Sequence, residues 1–282
     1  MPWLKRRHSL VLAIALVATT VLALGVGWMR SPLAGVSSER AAFVLANGLA
    51  ATHPDYRIRI DDASEARKSL QNVSVPVLLE PRAAYPLLRG QEATRRENIE
   101  FLRSGEVTQP LLRPWRLTGA IHEPVSSPFL RDDADFLSLS DPQHQLRALI
   151  VGWLSEPMTE EAVDLWLPKG IDVAIFTERG SVGAPVSWDT HFCRDRNLPC
   201  PPDELLGASE GFRRWVAALR DEDSPLLTKL GLDLTDLRNR AKNGMMYGFI
   251  ASAELEEIKN LSHKGQVRSI QIISAGLADA RD

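Results

Sequence analysis

The sequence predicts a mixed α/β (α+β) protein: a single N-terminal transmembrane helix, then an exported four-stranded α/β sandwich with a smaller β-containing N-terminal subdomain. Three observations carry this. Residues 10–28 read LVLAIALVATTVLALGVGW, without charge, directly behind Lys5, Arg6 and Arg7. Tyr56, Ile58 and Ile60 alternate with Arg57 and Arg59, the period of a half-buried strand. Two later passages each run strand, glutamate-led helix, Lys-Gly break and strand: LIVGWLSEPMTEEAVDLWLPKGIDVAIF and MMYGFIASAELEEIKNLSHKGQVRSIQII.

A helix rises about 1.5 Å per residue, so roughly 20 apolar residues cross a hydrocarbon core about 30 Å thick. Residues 10–28 reach the short end of that range, with Trp3 and Trp28 near the two interfaces. The basic cluster predicts a cytoplasmic tail at 1–9 and export of the rest, a single-pass topology. A cleaved signal peptide, with Ala23-Leu24-Gly25 as the small-x-small site, is the competing reading. A buried soluble helix fits less well, being apolar all round behind a basic terminus.

Net charge is −3 and the pI about 6.1, so no basic bias points to nucleic acid as a partner. Hydrophobic residues make up 44%, enough for the exported part to fold. The two cysteines, Cys193 and Cys200, lie in HFCRDRNLPCPPDE. Outside the cytoplasm such a pair predicts a disulfide, contributing roughly 2–3 kcal/mol by loop entropy. A metal site from His191, Cys193 and Cys200 lacks a recognisable spacing and a fourth ligand. Free thiols are the third reading. No metal or cofactor is expected.

The juxtamembrane α+β subdomain is assigned to 29–140. A small-residue tether at 31–38 leads to a helix over 38–50, with Phe43, Val44 and Leu49 inward, stopped at Thr52-His53-Pro54. Strands are expected at 56–60 and 73–79, with Pro76 placing the second at a sheet edge. Between 82 and 116, Arg82, Arg89, Arg95, Arg96, Arg103, Arg113 and Arg116 interleave with Glu92, Glu97, Glu100 and Glu106. This reads as a solvated, salt-bridged helix, or else a basic face for anionic lipid or cell-wall polymer. Residues 115–121 read as a short strand. The proline-bearing stretch 122–144 marks a boundary. Its Asp132, Asp133 and Asp135 lack the glycine and distal glutamate of a calcium loop and suit turns.

The C-terminal domain is assigned to 141–282. Residues 146–154 read as a strand. Thr159 caps a helix with Glu160 and Glu161 in its first turn and Val163, Trp166 and Leu167 inward; a strand follows at 171–176. A loop of about thirty residues holds the cysteines and is functional or mobile on length alone. Phe212, Trp215, Val216 and Leu219 recur at helix spacing, and a helix over 235–242 stops at Asn243-Gly244. Residues 245–250 are apolar on both faces and belong mid-sheet. Ser252 is expected to cap a helix carrying Leu255 and Ile258, before a last strand at 267–273. Right-handed crossovers between related halves then give the four-stranded sandwich.

Catalytic signatures do not appear: no G-x-S-x-G elbow, H-E-x-x-H, phosphate loop or dinucleotide fingerprint. Gly180-Ser181-Val182-Gly183 is too short and lies in no strand-to-helix context. His8, His53, His122, His144, His191 and His263 are scattered. An enzyme is not expected, although a spatial Ser-His-carboxylate set stays open.

From Leu146 onward the chain resembles the sigma-factor regulator C-terminal domain, the extracytoplasmic part of certain membrane-bound bacterial anti-sigma factors. The resemblance rests on VGWLSEPMTEEAVDLWLPKGIDVAIF, on GFRRWVAALR, and most specifically on KNGMMYGFIASAELEEIKNLSHKGQVRSIQI. The motif positions are Asn243, Gly244, Tyr247, Gly248, Phe249, Arg268 and Ser269. Gly248 would let a backbone or ring approach a central strand, and Arg268-Ser269 would start an outer one. The resemblance implies a regulatory or sensing domain in the bacterial cell membrane, facing outward and binding a protein partner or envelope ligand. With only nine residues before the apolar run, the cytoplasmic sigma-binding segment of that family is not expected here. Alternatives are a structural or assembly protein of the envelope and an envelope hydrolase.

Overall fold

The computed structural model describes residues 36–61, 66–69, 72–82, 94–102, 107–108, 116–122, 146–167, 170–181 and 183–277. Residues 10–28 lie outside these. Among the described residues no helix is long and apolar enough to cross a membrane. Asp132, Asp133 and Asp135 also lie outside them.

Helix α1 (Ser38–Thr52) opens on the Ser37 hydroxyl, which accepts the Arg40 N–H at 3.1 Å. Alanine, leucine and valine follow on every face, so the helix is buried all round from Ala41 onward. Five antiparallel strands form the first sheet: β1 (Tyr56–Ile60), β2 (Arg67–Lys68), β3 (Asn72–Pro81), β4 (Arg95–Leu102) and β5 (Val107–Thr108). Their order is β1-β3-β4-β5, with β2 also on β3.

Three expectations fail here, each for a physical reason. Pro76 is not on an edge, since β3 is central. Its carbonyl accepts the Asp61 N–H at 3.3 Å, on the flank where β1 has ended and β2 has not begun, so no ladder donor is missed. The stretch at 95–102 is a strand rather than a charged helix, because Ile99 and Phe101 alternate into the core while Arg96 pairs across to Asp61 at 2.6 Å. Residues Arg116–His122 form helix α2 rather than a strand. Asp55 supplies its cap from a distance, accepting the Leu117 and Thr118 N–H groups at 2.9 and 3.1 Å and the Thr118 hydroxyl.

The second sheet begins with β6 (Leu146–Met158), α3 (Glu160–Asp164) and β7 (Val173–Ile175). Thr159 caps α3 as expected, accepting the Ala162 N–H at 3.4 Å. The supposed loop then proves largely structured, as β8 (Ser187–Asp189), β9 (His191–Phe192), α4 (Cys193–Arg196) and β10 (Leu205–Leu206). All three residues of β8 are buried, and the strand adds a fifth member to a sheet expected to have four. Next come α5 (Ala208–Ala218), a 3₁₀ turn (Asp221–Asp223), α6 (Ser224–Lys229), α7 (Leu234–Asn243), β11 (Met246–Glu254), α8 (Leu255–Ser262) and β12 (Val267–Leu277). Ser252 does not cap α8; it lies in β11. The cap is Glu254, whose N–H is held by the Glu257 carboxylate at 2.8 Å.

Strand order is β12-β6-β11-β7-β8, antiparallel throughout. The units β6-α3-β7 and β11-α8-β12 interleave, so the first four strands take the 4-1-3-2 order of a ferredoxin-like split β-α-β pair. The fold is thus mixed α/β with several sheets. One apolar cluster runs from α1 and the first sheet across one face of the second sheet to α5, α6 and α7. On the opposite face, Leu149, Val151, Trp153, Val173, Ile175 and Ile250 meet Leu117, Ala120 and Ile121 of α2.

Candidate functional site

Helix α7 starts where the Asp233 carboxylate accepts the Asp236 N–H at 2.8 Å. It stops at Gly244, whose φ of +63° is the left-handed conformation a glycine adopts freely, and whose N–H returns to the Arg240 carbonyl at 2.9 Å. The chain turns at once into β11. Asn243 at the helix end and Tyr247 near the strand start therefore line one open groove of about 640 Å³. Glu156 and Pro157 from the end of β6, Phe176 after β7, and Asp236, Asn239, Arg240 and Met245 complete the lining. Arg240 donates to Asp236 at 2.7 Å and to the Phe176 carbonyl, so it pins α7 to the sheet and has its charge answered locally. Glu156 and Asp236 leave the groove acidic on balance.

The other motif positions play different parts. Gly248 sits in β11 between Trp153 and Ile175, where a Cβ would lie 2.7 Å from the Gly152 carbonyl oxygen and 3.0 Å from the Trp153 ring. Close approach to a central strand is thus its function in the fold. Phe249 is fully buried against Gly152 and meets Trp166 edge-on at 6.0 Å. Arg268 and Ser269 lie near the start of edge strand β12, and the Ser269 hydroxyl accepts from Arg179 at 3.2 Å while that guanidinium lies 5.9 Å from the Trp153 ring centre. The structure brings Asn243, Gly244 and Tyr247 together and sends the rest to the core or the edge.

Cys193 and Cys200 form a disulfide, with Cα atoms 5.9 Å apart. This replaces the metal reading. The two sulfurs and the Glu204 carboxylate do converge within 4.8 Å, but joined sulfurs offer no thiolate, and both Glu204 oxygens accept from Arg214 at 3.0 and 3.1 Å. His191 turns its Nδ1 the other way, to the Asp189 carbonyl at 2.7 Å.

Sequence reasoning missed a buried charge cluster beside the disulfide. The Asp189 side chain is 5% exposed and accepts from Arg82 at 2.5 Å and from Arg196 at 2.6 Å. Burial pushes its carboxyl up, but Arg196 and Arg82 outweigh burial and hold it well below the usual carboxylate range. The Arg196 carbonyl accepts from Asn47 of α1 at 3.0 Å, and its guanidinium lies 5.4 Å from the centre of the Trp188 ring, which stacks on Trp215 at 4.8 Å. His191 must carry its proton on Nδ1, since a carbonyl only accepts. Burial first and the Arg196 charge second lower its pKa, so the imidazole is neutral near pH 7. Its Nε2 lone pair is buried without a partner among the described residues. The aromatic residues Trp188 and Phe192, an even number of positions apart in a supposed loop, were a weak signal for β8 and β9. Nothing near Arg82 pointed to Asp189.

Glu160 lies in the first turn of α3 as expected, but it also serves a second helix that the sequence did not disclose. Its carboxylate accepts the Ala208 and Ser209 N–H groups at 2.9 and 2.6 Å, capping α5, whose own N-cap residue, Gly207, has no side chain to do so. A Cβ at Gly207 would lie 2.9 Å from that carboxylate.

Compared with protein-family models, with curated proteins and with solved structures, the chain matches none.

Proposed function

We propose that the chain is an exported, membrane-tethered regulatory domain that docks a protein partner along the α7–β11 groove, as the sigma-factor regulator resemblance implies. One observation carries this reading: Asn243 and Tyr247, separated by the Gly244 turn, line a single groove. The chemistry of the lining suits a basic, extended segment. Glu156 and Asp236 would meet its cations, and Pro157, Met245 and Tyr247 its apolar side chains. The Cys193–Cys200 disulfide supports an oxidising compartment.

The test is photo-crosslinking in intact cells, with p-benzoylphenylalanine placed at position 247 and, as control, at the exposed Gln266 in the α8–β12 turn. A discrete adduct from 247 alone is expected. No adduct, or equal adducts from both positions, overturns the groove. A reporter fused after Asp282 and active only in the cytosol overturns the topology.

A second reading, an assembly protein of the envelope, is favoured by one feature. Phe192 and Leu205 face each other across the β9–β10 ribbon and are 37% and 59% exposed. Self-association abolished by Leu205→Ser, with the groove adduct absent, would select it.

A further inference from the structure

Among the described residues, β9 and β10 pair only with each other: Phe192 opposes Leu205, and His191 opposes Leu206. The outer pair, Phe192 and Leu205, is exposed, so the inner pair, His191 and Leu206, supplies the ribbon's burial. Firmer structure bounds the ribbon on every side. Before it stands Asp189 of β8, held by Arg82 and Arg196. After it, Gly207 leads into α5, whose first N–H groups rest on Glu160. Between its strands, the Cys193–Cys200 bond closes the connecting segment. A piece this small, with one buried face, can open while its surroundings stay folded.

The packing around His191 suits a neutral ring and opposes a charged one. Its Nδ1–H donates to the Asp189 carbonyl at 2.7 Å, and the ring meets Trp188 edge-on at 5.6 Å. From α5 the facing residue is Gly211, where a Cβ would strike the imidazole and lie 2.7 Å from Trp188 Nε1. From β10 it is Leu206. Neither carries charge. His191 Nε2 and Trp188 Nε1 are both buried without a partner among the described residues. A proton on Nε2 would make it a donor, and the indole N–H beside the same glycine is a donor already. The charged groups that act on the ring are Arg196 and Asp195 of α4 and Asp189 of β8, with Arg82 reaching it through Asp189. Arg196 and Arg82 already share the Asp189 carboxylate, so an imidazolium would be a third cation around one buried anion.

We infer that His191 is an acid-operated latch: protonation of its imidazole releases the β9–β10 ribbon from Trp188 and α5 while both five-stranded sheets stay folded. The direction follows from linkage. The closed ribbon takes the proton less readily than the open one, where water solvates the imidazolium, so falling pH favours the open form. The disulfide confines the change, because the segment carrying Arg196 stays closed on itself. Opening bares Leu206 and an edge of the Trp188 ring beside Phe192 and Leu205. Acid thus enlarges an apolar patch that neutral pH keeps small. The latch is separate from the α7–β11 groove, and neither proposal requires the other.

The test is amide hydrogen exchange of the purified full chain at pH 7.5 and 5.5, read by mass spectrometry and corrected for intrinsic rates. Asp189 stays ionised at both values, being held well below the usual carboxylate range. Peptides over residues 190–206 should lose protection by roughly tenfold or more at pH 5.5, while those over β11 stay unchanged. His191→Asn keeps a donor for the Asp189 carbonyl and cannot take up a proton, so its ribbon should exchange alike at both pH values. Equal wild-type protection at the two pH values, an equal loss in β11, or a pH response that survives in His191→Asn overturns the latch. If that variant does not fold, exchange of the His191 C2 hydrogen in the wild-type chain decides. A pKa below the ordinary 6.5, coinciding with the midpoint of ribbon opening, supports the latch; a pKa at or above 6.5, or a separate midpoint, overturns it. The adduct at position 247 is read independently, so failure of the groove and of the latch are told apart.

Discussion

The Asp189 cluster and the α7–β11 groove are both built from carboxylates and guanidinium groups, and they bond them in opposite ways. Around Asp189 the charges face one another: Arg82 comes from the end of β3, Arg196 from α4, and side-chain exposure is 5% or less throughout. In the groove Asp236 is 49% exposed, and its partner Arg240 lies on its own helix, one turn away. The first arrangement joins distant parts of the chain and presents nothing to solvent. The second presents a surface whose residues are held from behind. Elaborate bonding here marks architecture, and the sparsely bonded side chains are those free to meet another molecule.

The contrast can be broken most severely at Asp189. Asp189→Asn leaves two buried guanidinium groups facing a neutral amide, and should cost about 3–5 kcal/mol. Asp236→Asn removes an exposed pair and should cost under about 1 kcal/mol. Urea unfolding of the two variants measures both; similar costs would erase the distinction. The same cluster sets a response to acid. The folded state holds His191 neutral, with a pKa below its ordinary value of 6.5, so the unfolded chain takes the proton more readily and stability should fall as pH drops through about 6.5. Asp189 is held below its ordinary 3.8, so its contribution is intact above that value and is lost as pH falls beneath it. Two successive losses are expected in stability against pH, and His191→Asn should remove the upper one.

The disulfide belongs with the buried region. It closes the short segment that carries Arg196, and its removal by Cys193→Ala with Cys200→Ala should cost about 2–3 kcal/mol by loop entropy. Mass spectrometry of alkylated, unreduced protein should find both cysteines unmodified; labelling of both would deny the bond. Smaller again is Glu160→Ala, which uncaps α5 and should cost about 1–2 kcal/mol in the same urea assay, against little for the neighbouring Glu161→Ala.

These regions also differ in how far the sequence disclosed them. The helix stop and strand start that border the groove were legible because they are local. A helix pattern, Asn243-Gly244 and an apolar strand follow one another, and each signal acts within a few residues. The helix α1, the strand at 56–60 and the two β-α-β units were legible for the same reason, whereas their interleaving in one sheet was not. The Asp189 cluster was not, because Arg82 and Asp189 stand 107 positions apart and neither has a neighbour that announces the other. Asp55 capping α2 and Glu160 capping α5 are further cases: a carboxylate near one element served the N-terminus of another. Pro76 and the arginine-glutamate stretch misled for a related reason. Their local propensity was read correctly, and tertiary pairing overrode it.

The smallest expected effect sharpens the comparison most. Asn243 is exposed at the end of α7 and lines the groove, and the helix stop beside it is made by Gly244. Asn243→Ala should therefore change stability by less than about 0.5 kcal/mol, as for surface positions outside caps and cores. If the groove docks a partner, the same variant should reduce the adduct from position 247 severalfold at unchanged protein level. A variant that leaves the adduct intact would place Asn243 outside the contact, whereas one that lowers stability as Asp189→Asn does would make the groove another piece of architecture.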